Sequence, residues 1–456
     1  VGAPFEQTTD FPRLGYLYEV GDTGRTEVPA LLHFDERRGL YAEVPFTFES
    51  HDGVGRWFGR QAVECPKQLL FQDHHLDLHL FGVHVAMQGR DPRYEVGLGG
   101  LRAEYAVEDR DRSDVDYSAV AGVRSEIEGL HEFMGHSLAK MEFPNEAGVR
   151  STILRADSQP MVDIGEVDRF RVTLTADYWA GPDRPNVSAI GETTFLRTVS
   201  DSTRPVVEHL RVHEAVRDLL AVLVWQPVDF TEVMVQHDDA PALSLGGTTM
   251  GAAWRRIHSP HLRQRDRREP SPTVRFADVL SPTSFEAVGA DGRLVALQSR
   301  DKLARFLDPL IALRFSSVVT PQVALMQTSI AAEALAYSRA LRAGATKRAA
   351  REQSFEGRLR DLVENQPLDL AHVVGDQEAW ISAAAKAYNG LKHANKPLPT
   401  PPIPTLIAGT LVGLLRAHLL LELGVSPAIA GGPCQEPELV AVEECLRAPI
   451  ELAPES

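Results

Sequence analysis

The chain has 456 residues, 43% of them hydrophobic and 24% charged, with a formal charge of −16. The length exceeds the roughly 100–200 residues of one domain and predicts two or three units, each able to bury a core, while the composition reads as that of an ordinary soluble globular protein, neither disordered nor membrane-embedded. Acidity argues against a polyanionic partner for the chain as a whole, yet it is unevenly spread: residues 301–425 hold 14 basic against 11 acidic side chains, and the remainder 33 against 52.

The first residues, VGAPFEQTTDF, lack the basic start and apolar core of a secretory leader. Cys65, Cys434 and Cys445 are too few and too scattered for a disulfide framework or a four-thiolate zinc site. A reducing cytoplasm is the expected location.

EVPALLHF, DERRG and LYAEVPF predict two strands around a polar loop closed by Gly39. DHHLDLHLFGVH reads as a strand with Asp73, His75, Asp77 and His79 on one wet edge; His75 and His79 would lie about 13 Å apart along it, which disfavours a shared metal. VGLGGL at 96–101 lacks the third glycine and following helix of a dinucleotide fingerprint, and is read as a tight turn. In LHEFMGH, His131 and His136 are five apart, about 140° around a helix, which defeats a zinc-protease reading. FRVTLTADYW alternates Phe170, Val172, Leu174, Ala176 and Tyr178 with polar residues, the period of a half-buried strand. Residues 1–200 thus read as a β-rich sandwich or barrel-like module.

Past Pro205, Val206, Leu210, Val216, Leu220 and Leu223 recur at near-helical spacing. QHDDA, with His237, Asp238 and Asp239, resembles a metal-phosphohydrolase dipeptide but has no second histidine cluster. Residues 255–272 carry six arginines and little to bury, and read as an exposed loop or linker, RNA contact being the sharper alternative. Together, 201–300 form a mixed connecting region.

From 301 to 425 the chain reads as an all-α bundle, giving an α+β protein overall. Its stripes are Ile330, Ala334, Tyr337, Leu341; Phe355, Leu359, Leu362, Val363; and Trp380, Ala384, Ala387, Leu391. The apolar segment 404–425 is interrupted by Arg416, His418 and Glu422 before about 20 apolar residues accumulate. It predicts a core helix, and no membrane partner. Residues 426–456 form a peripheral tail.

The stretch AYNGLKHANK carries the most chemistry. On a helix, Lys386, Asn389 and His393 project away from the apolar wedge, while Tyr388 lies about 140° from His393 and nearer that wedge. Pro397 and Pro399 stop the helix soon after His393, where the helix dipole favours the protonated imidazole. A solvated helix face is the competing reading. RALRAGATKRAAR supplies Arg339, Arg342, Lys347, Arg348 and Arg351, either an RNA track or a solvated surface.

On these residues the helical third resembles the HEPN superfamily in its ApeA-like branch, and the β-rich part looks like the amino-terminal domain that accompanies that branch in bacterial defence proteins. HEPN ribonucleases carry R-x(4–6)-H, commonly R-N-x-x-x-H; Asn389 and His393 match it, Tyr388 stands where arginine is expected, and Glu333 lies in an earlier helix where relatives often have glutamate. The resemblance implies metal-independent cleavage of RNA, tRNA or another cellular RNA, at the interface of a homodimer or higher homo-oligomer, with no cofactor. His393 would transfer protons, Asn389 would orient the phosphate or the imidazole, and Lys386 or Lys392 would supply the charge of the missing arginine. Two alternatives stay open: an inactive RNA-binding or dimerisation bundle with a ligand-sensing β domain, or a β module that is itself active through His75, Asp77 and His79.

Overall fold

The structure is a computed structural model that describes residues 11–20, 27–35, 39–47, 55–58, 64–74, 77–91, 96–109, 115–134, 139–142, 145–146, 149–150, 153–156, 162–184, 187–243, 247–259, 262, 288–289, 298, 303–316, 318–364 and 374–431. The chain falls into two compact units, one of residues 1–128, 137–213 and 229–270, the other of 129–136, 214–228 and 271–456.

The first unit is built on one antiparallel sheet. Its strands in chain order are β1 (Arg13–Glu19), β2 (Val28–Asp35), β3 (Gly39–Thr47), β4 (Gln68–Gln72), β5 (Asp77–Phe81), β6 (His84–Asp91), β7 (Val96–Ala103), β8 (Tyr105–Asp109) and β9 (Ala119–Ile127). They continue with β10 (Val162–Val167), β11 (Phe170–Arg184), β12 (Val187–Pro205), β13 (Phe230–Leu243) and β14 (Thr249–His258). Across the sheet the order is β10-β11-β12-β9-β13-β14-β8-β5-β4-β1-β2-β3-β7-β6. The β-rich part therefore does not end near 200. β13 returns to pair with β9, and β14 carries the sheet on to β8.

The expected β2–β3 hairpin forms, with Gly39 at φ 70°, a conformation glycine adopts without steric penalty. On β11, Phe170, Val172 and Leu174 are buried and Arg171 exposed, as alternation predicts, but Thr173 is buried too. VGLGGL is not a turn; it is most of β7. A Cβ on Gly97 would stand 2.3 Å from the Phe46 ring and one on Gly99 2.4 Å from the Phe58 ring, so the glycines make room for two stacked aromatics on other elements. Phe58 belongs to the short helix α1 (Gly55–Phe58).

DHHLDLHLFGVH is also not one wet strand. β4 and β5 form a hairpin, and every residue of β5 is buried. Asp73 lies before β5 and is bound by Arg13; His79 Nε2 sits 3.5 Å from Asp109; His75 is outside the described residues. Nor do Arg255 and Arg256 belong to a loop: they are half-buried in β14, and positions 263–272 lie outside the described residues.

Helix α3 (Val206–Val224) begins in this unit. Of the five recurring apolar residues Val206, Leu220 and Leu223 are buried, Leu210 and Val216 only half-buried, and His209 and His213 are fully enclosed. Their hydrogen bonds fit a single direction. Ser125 Oγ reaches His213 Nδ1 at 2.6 Å, and Thr198 Oγ1 meets His213 Nε2 and His209 Nδ1, each at 2.9 Å. His209 Nε2 ends on the Val120 carbonyl at 3.3 Å. A carbonyl only accepts, so His209 carries its proton on Nε2 and Thr198 donates to His209 at 2.9 Å, with the Val123 carbonyl a longer second acceptor at 3.4 Å; His213 Nε2 then donates to Thr198, and Ser125 donates to His213. Both rings are neutral, and burial pushes their pKa values down to about 4 and about 3.

The second unit opens with α2 (Leu130–Met134), which holds His131; His136 is outside the described residues. Its bundle comprises α4 (Ala304–Phe315), α5 (Pro321–Arg342), α6 (Lys347–Glu352), α7 (Phe355–Glu364), α8 (Gln377–Lys392), α9 (Pro402–Glu422) and α10 (Pro427–Ala430). Thr320 caps α5 through Val323 N–H, Thr346 caps α6 and Asp376 caps α8. The α7 stripe is buried as predicted. On α5 the predicted stripe is not the core: Ile330 is 38% exposed, and the buried positions are Leu325, Thr328, Ser329, Ala331, Ala332, Leu335 and Ala336. Small residues there let neighbouring helices approach closely.

α9 is the one helix among the described residues long and apolar enough to cross a membrane, and 83% of that window is buried inside the protein. The three interruptions are satisfied there. Arg416 donates to the Leu223 carbonyl, His418 Nε2 donates to the Leu362 carbonyl at 3.1 Å, and Glu422 holds Arg342. The Arg339 guanidinium donates to His418 Nδ1; burial, then this neighbouring cation, pushes His418 down to about 3, so it stays neutral.

Candidate functional site

Lys392 is the last residue of α8, and His393 is its C-cap at φ −122°, ψ 116°. The break is local: His393 N–H donates to the Asn389 carbonyl, and Lys396 N–H to that of His393, each at 3.0 Å. The chain then folds back, since a Cβ on Gly390 would stand 2.3 Å from the Pro397 carbonyl oxygen. His393 consequently leaves the helical projection that sequence spacing gave it. It is exposed, as are Lys386, Lys392 and Lys396, and Asn389 is half-buried. Two ammonium groups, an amide and an imidazole thus decorate the last two turns and the cap of one helix, and Lys396 follows in the turn after it.

Tyr388 faces the opposite way. It is 2% exposed, its ring packs 4.6 Å from that of Phe355, and its hydroxyl donates to Glu333 Oε2 at 3.1 Å. Burial, then the Glu333 carboxylate, pushes its pKa up to about 12, so it stays a protonated donor. The second Glu333 oxygen meets Arg358 Nη1 at 3.1 Å. Arg358 also donates to the Ala350 and Arg351 carbonyls at 3.1 and 3.3 Å, closing the end of α6. Lys392 Nζ lies 5.1 Å from the Tyr388 ring centroid, within reach of a cation–π attraction. Glu333 on α5, Arg358 on α7, and Tyr388 and Lys392 on α8 therefore form one chain of contacts ending beside His393.

Sequence reasoning missed Arg358. FEGRLRDL gives it no distinction from Arg360, which is half-buried and paired with Glu378 at 2.7 Å. The basic stretch divides: Arg339 is taken by His418 and Arg342 by Glu422, Arg348 pairs with Glu352 at 2.8 Å, and Lys347 and Arg351 are exposed. In the sheet unit, His237 accepts from the Asp239 backbone at 3.1 Å, a local turn contact. Among the described residues no group of three His, Cys, Asp or Glu side chains converges as metal ligands.

A large antiparallel sheet followed by a helical bundle defines the class as an α+β protein of two units. The family model ApeA N-terminal domain 1 matches residues 13–287, more than half of the chain, and the chain belongs to that family. The match takes in the sheet and α3 and ends ahead of α4. No curated protein and no solved structure matches the chain.

Proposed function

We propose that this ApeA-like protein serves bacterial anti-phage defence and that its helical unit is a HEPN-type, metal-independent endoribonuclease. The observation that carries the reading is His393, exposed at the end of α8 with Asn389 one turn back, Lys386 and Lys392 exposed on the same helix end and Lys396 exposed in the turn that follows. In the proposed reaction the ribose 2′-oxygen bonds to the adjacent phosphorus as the bond to the 5′-oxygen breaks, leaving a 2′,3′-cyclic phosphate and a 5′-hydroxyl. One proton leaves the 2′-hydroxyl and another reaches the 5′-oxygen, the two roles falling to His393 of each copy in a homodimer. Lysine neutralises the phosphorane as a point charge, without the fork of an arginine.

The test is cleavage of total cellular RNA by the purified full chain in EDTA. Wild type is expected to release cyclic-phosphate ends, and His393→Ala to lose about a hundredfold in rate or more. Equal rates for the two proteins would sink the assignment. The burial of Tyr388 against Glu333 favours a second reading, an inactive bundle that only binds RNA; RNA retained intact on the protein in the same assay would select it.

A further inference from the structure

The sheet face opposite the one covered by His209 and His213 carries an unusual row. Arg197 on β12 stands directly across from Arg124 on β9, Arg124 across from Met234 on β13, and Met234 across from Arg256 on β14. Residues directly opposite share a face, so three arginines line up across four adjacent strands, over about 14 Å at normal strand spacing. In the adjoining row Trp254 opposes Gln236, and Gly122 lies beneath it: a Cβ on Gly122 would be 3.5 Å from the indole. The missing side chain lets the indole lie across β9, with the Arg124 and Arg197 guanidiniums 5.0 and 5.2 Å from its centroid.

The charges of this row are poorly matched. Arg124 meets Asp177 at 3.2 Å and otherwise points at the Met234 sulfur and over the Phe195 ring, 4.5 Å from its centroid. Glu126 and Glu232 oppose each other two positions along the same face. Arg197 makes only a long bond to Gln236, at 3.4 Å. Arg197 and Arg256 make no ion pair with any described residue, and the Nε atom of each is buried without a hydrogen-bond partner. Half-buried guanidiniums lacking a carboxylate lose hydration without recovering it, and like charges in a row repel.

We propose that this face binds a phosphate-bearing nucleotide: Arg197, Arg256 and Arg124 take the phosphate oxygens and Trp254 stacks on the base. The guanidinium fork matches phosphate geometry, and a half-exposed indole accepts any base face. A small ligand fits better than a nucleic-acid strand, because Asp177, Glu126 and Glu232 flank the row and the chain as a whole carries −16. Asp177, whose side chain is 58% exposed, gives up Arg124 as the anion enters. The site lies in the sheet unit and stands or falls independently of the ribonuclease reading.

Titration calorimetry of the full chain with ATP tests it, with a single-stranded oligoribonucleotide as the comparison ligand. Saturable ATP binding is expected, at least tenfold weaker in Arg197→Gln and Arg256→Gln and unchanged in Arg360→Gln of the helical unit. No saturable binding, equal affinity in the two row variants, or binding of the oligoribonucleotide but not of ATP would each overturn the proposal. Arg197→Met guards against a trivial loss of fold: its melting temperature without nucleotide should equal or exceed that of wild type, while the ATP-induced rise disappears. A lower melting temperature for that variant would mark Arg197 as structural and overturn the assignment.

Discussion

Tyr388 separates a phosphate-contacting role from a positioning one. Tyr388→Phe keeps the ring against Phe355 and beneath Lys392 and removes only the 3.1 Å bond to Glu333. A hydrogen bond to a charged acceptor is worth roughly 1.5–3 kcal/mol. Glu333 keeps Arg358 and is partly open to water, so the cost should be near or below the low end, about 1–1.5 kcal/mol. Tyr388→Ala also empties an aromatic site, at about 3–5 kcal/mol. Urea denaturation of the full chain, followed through the helical transition, gives both values, and RNA cleavage measured alongside should fall less than about threefold in the Phe variant. A Phe variant as unstable as Ala, or one of unchanged stability that has lost cleavage, would refute the positioning argument; the second outcome would place the phenol on the substrate.

Acid should weaken the fold through three histidines. His209, His213 and His418 are held neutral by burial, at about 4, 3 and 3, whereas the unfolded chain takes up these protons near pH 6.5. Protonation thus favours unfolding, and stability drops as pH falls below 6.5 by about 1.4 kcal/mol per pH unit for each histidine; urea midpoints that do not move between pH 7 and pH 5 would contradict this. Gly390→Ala drives a Cβ into the Pro397 carbonyl and shifts the cap that holds His393; cleavage is expected to fall tenfold or more at small cost to the melting temperature, since misplacement by about 1 Å is expensive in rate. Gly99→Ala presses on the Phe58 ring, which is stacked on Phe46, and should cost the sheet unit about 1–3 kcal/mol by overpacking, read as a lower melting temperature.

The parts of the fold legible in sequence are those whose pattern is complete within one element. The alternation of Phe170, Val172 and Leu174 and the wedge of Trp380, Ala384 and Ala387 each name a buried face without reference to a neighbour. VGLGGL failed for the converse reason: its glycines answer to Phe46 and Phe58, on other elements, and only those rings explain a strand with so few side chains. On α5, Ile330 and Tyr337 outrank alanine in any apolar count, yet Ala331, Ala332, Leu335 and Ala336 face the bundle because close helix packing selects by size as well as hydrophobicity. Arg416 reads as a polar interruption, and His209 and His213 fall between the apolar positions of their helix. Their partners are Ser125, Thr198 and the Leu223 carbonyl, remote in sequence for His213 and Arg416.

The candidate site was legible to the same extent. Asn389, His393 and the flanking lysines could be placed on an exposed helix end from spacing and the prolines that follow, but Arg358 could not, because nothing local sets it apart. Its partner Glu333 also holds the tyrosine. Position 388 points into the bundle towards Glu333, so an arginine at this helical position would also meet that carboxylate before reaching solvent. Tyrosine makes its contact there as a neutral hydrogen bond and leaves the other Glu333 oxygen to Arg358. Glu333 is thereby held by a phenol from α8 and a guanidinium from α7, and Lys392, next to His393 in the chain, lies over the tyrosine ring.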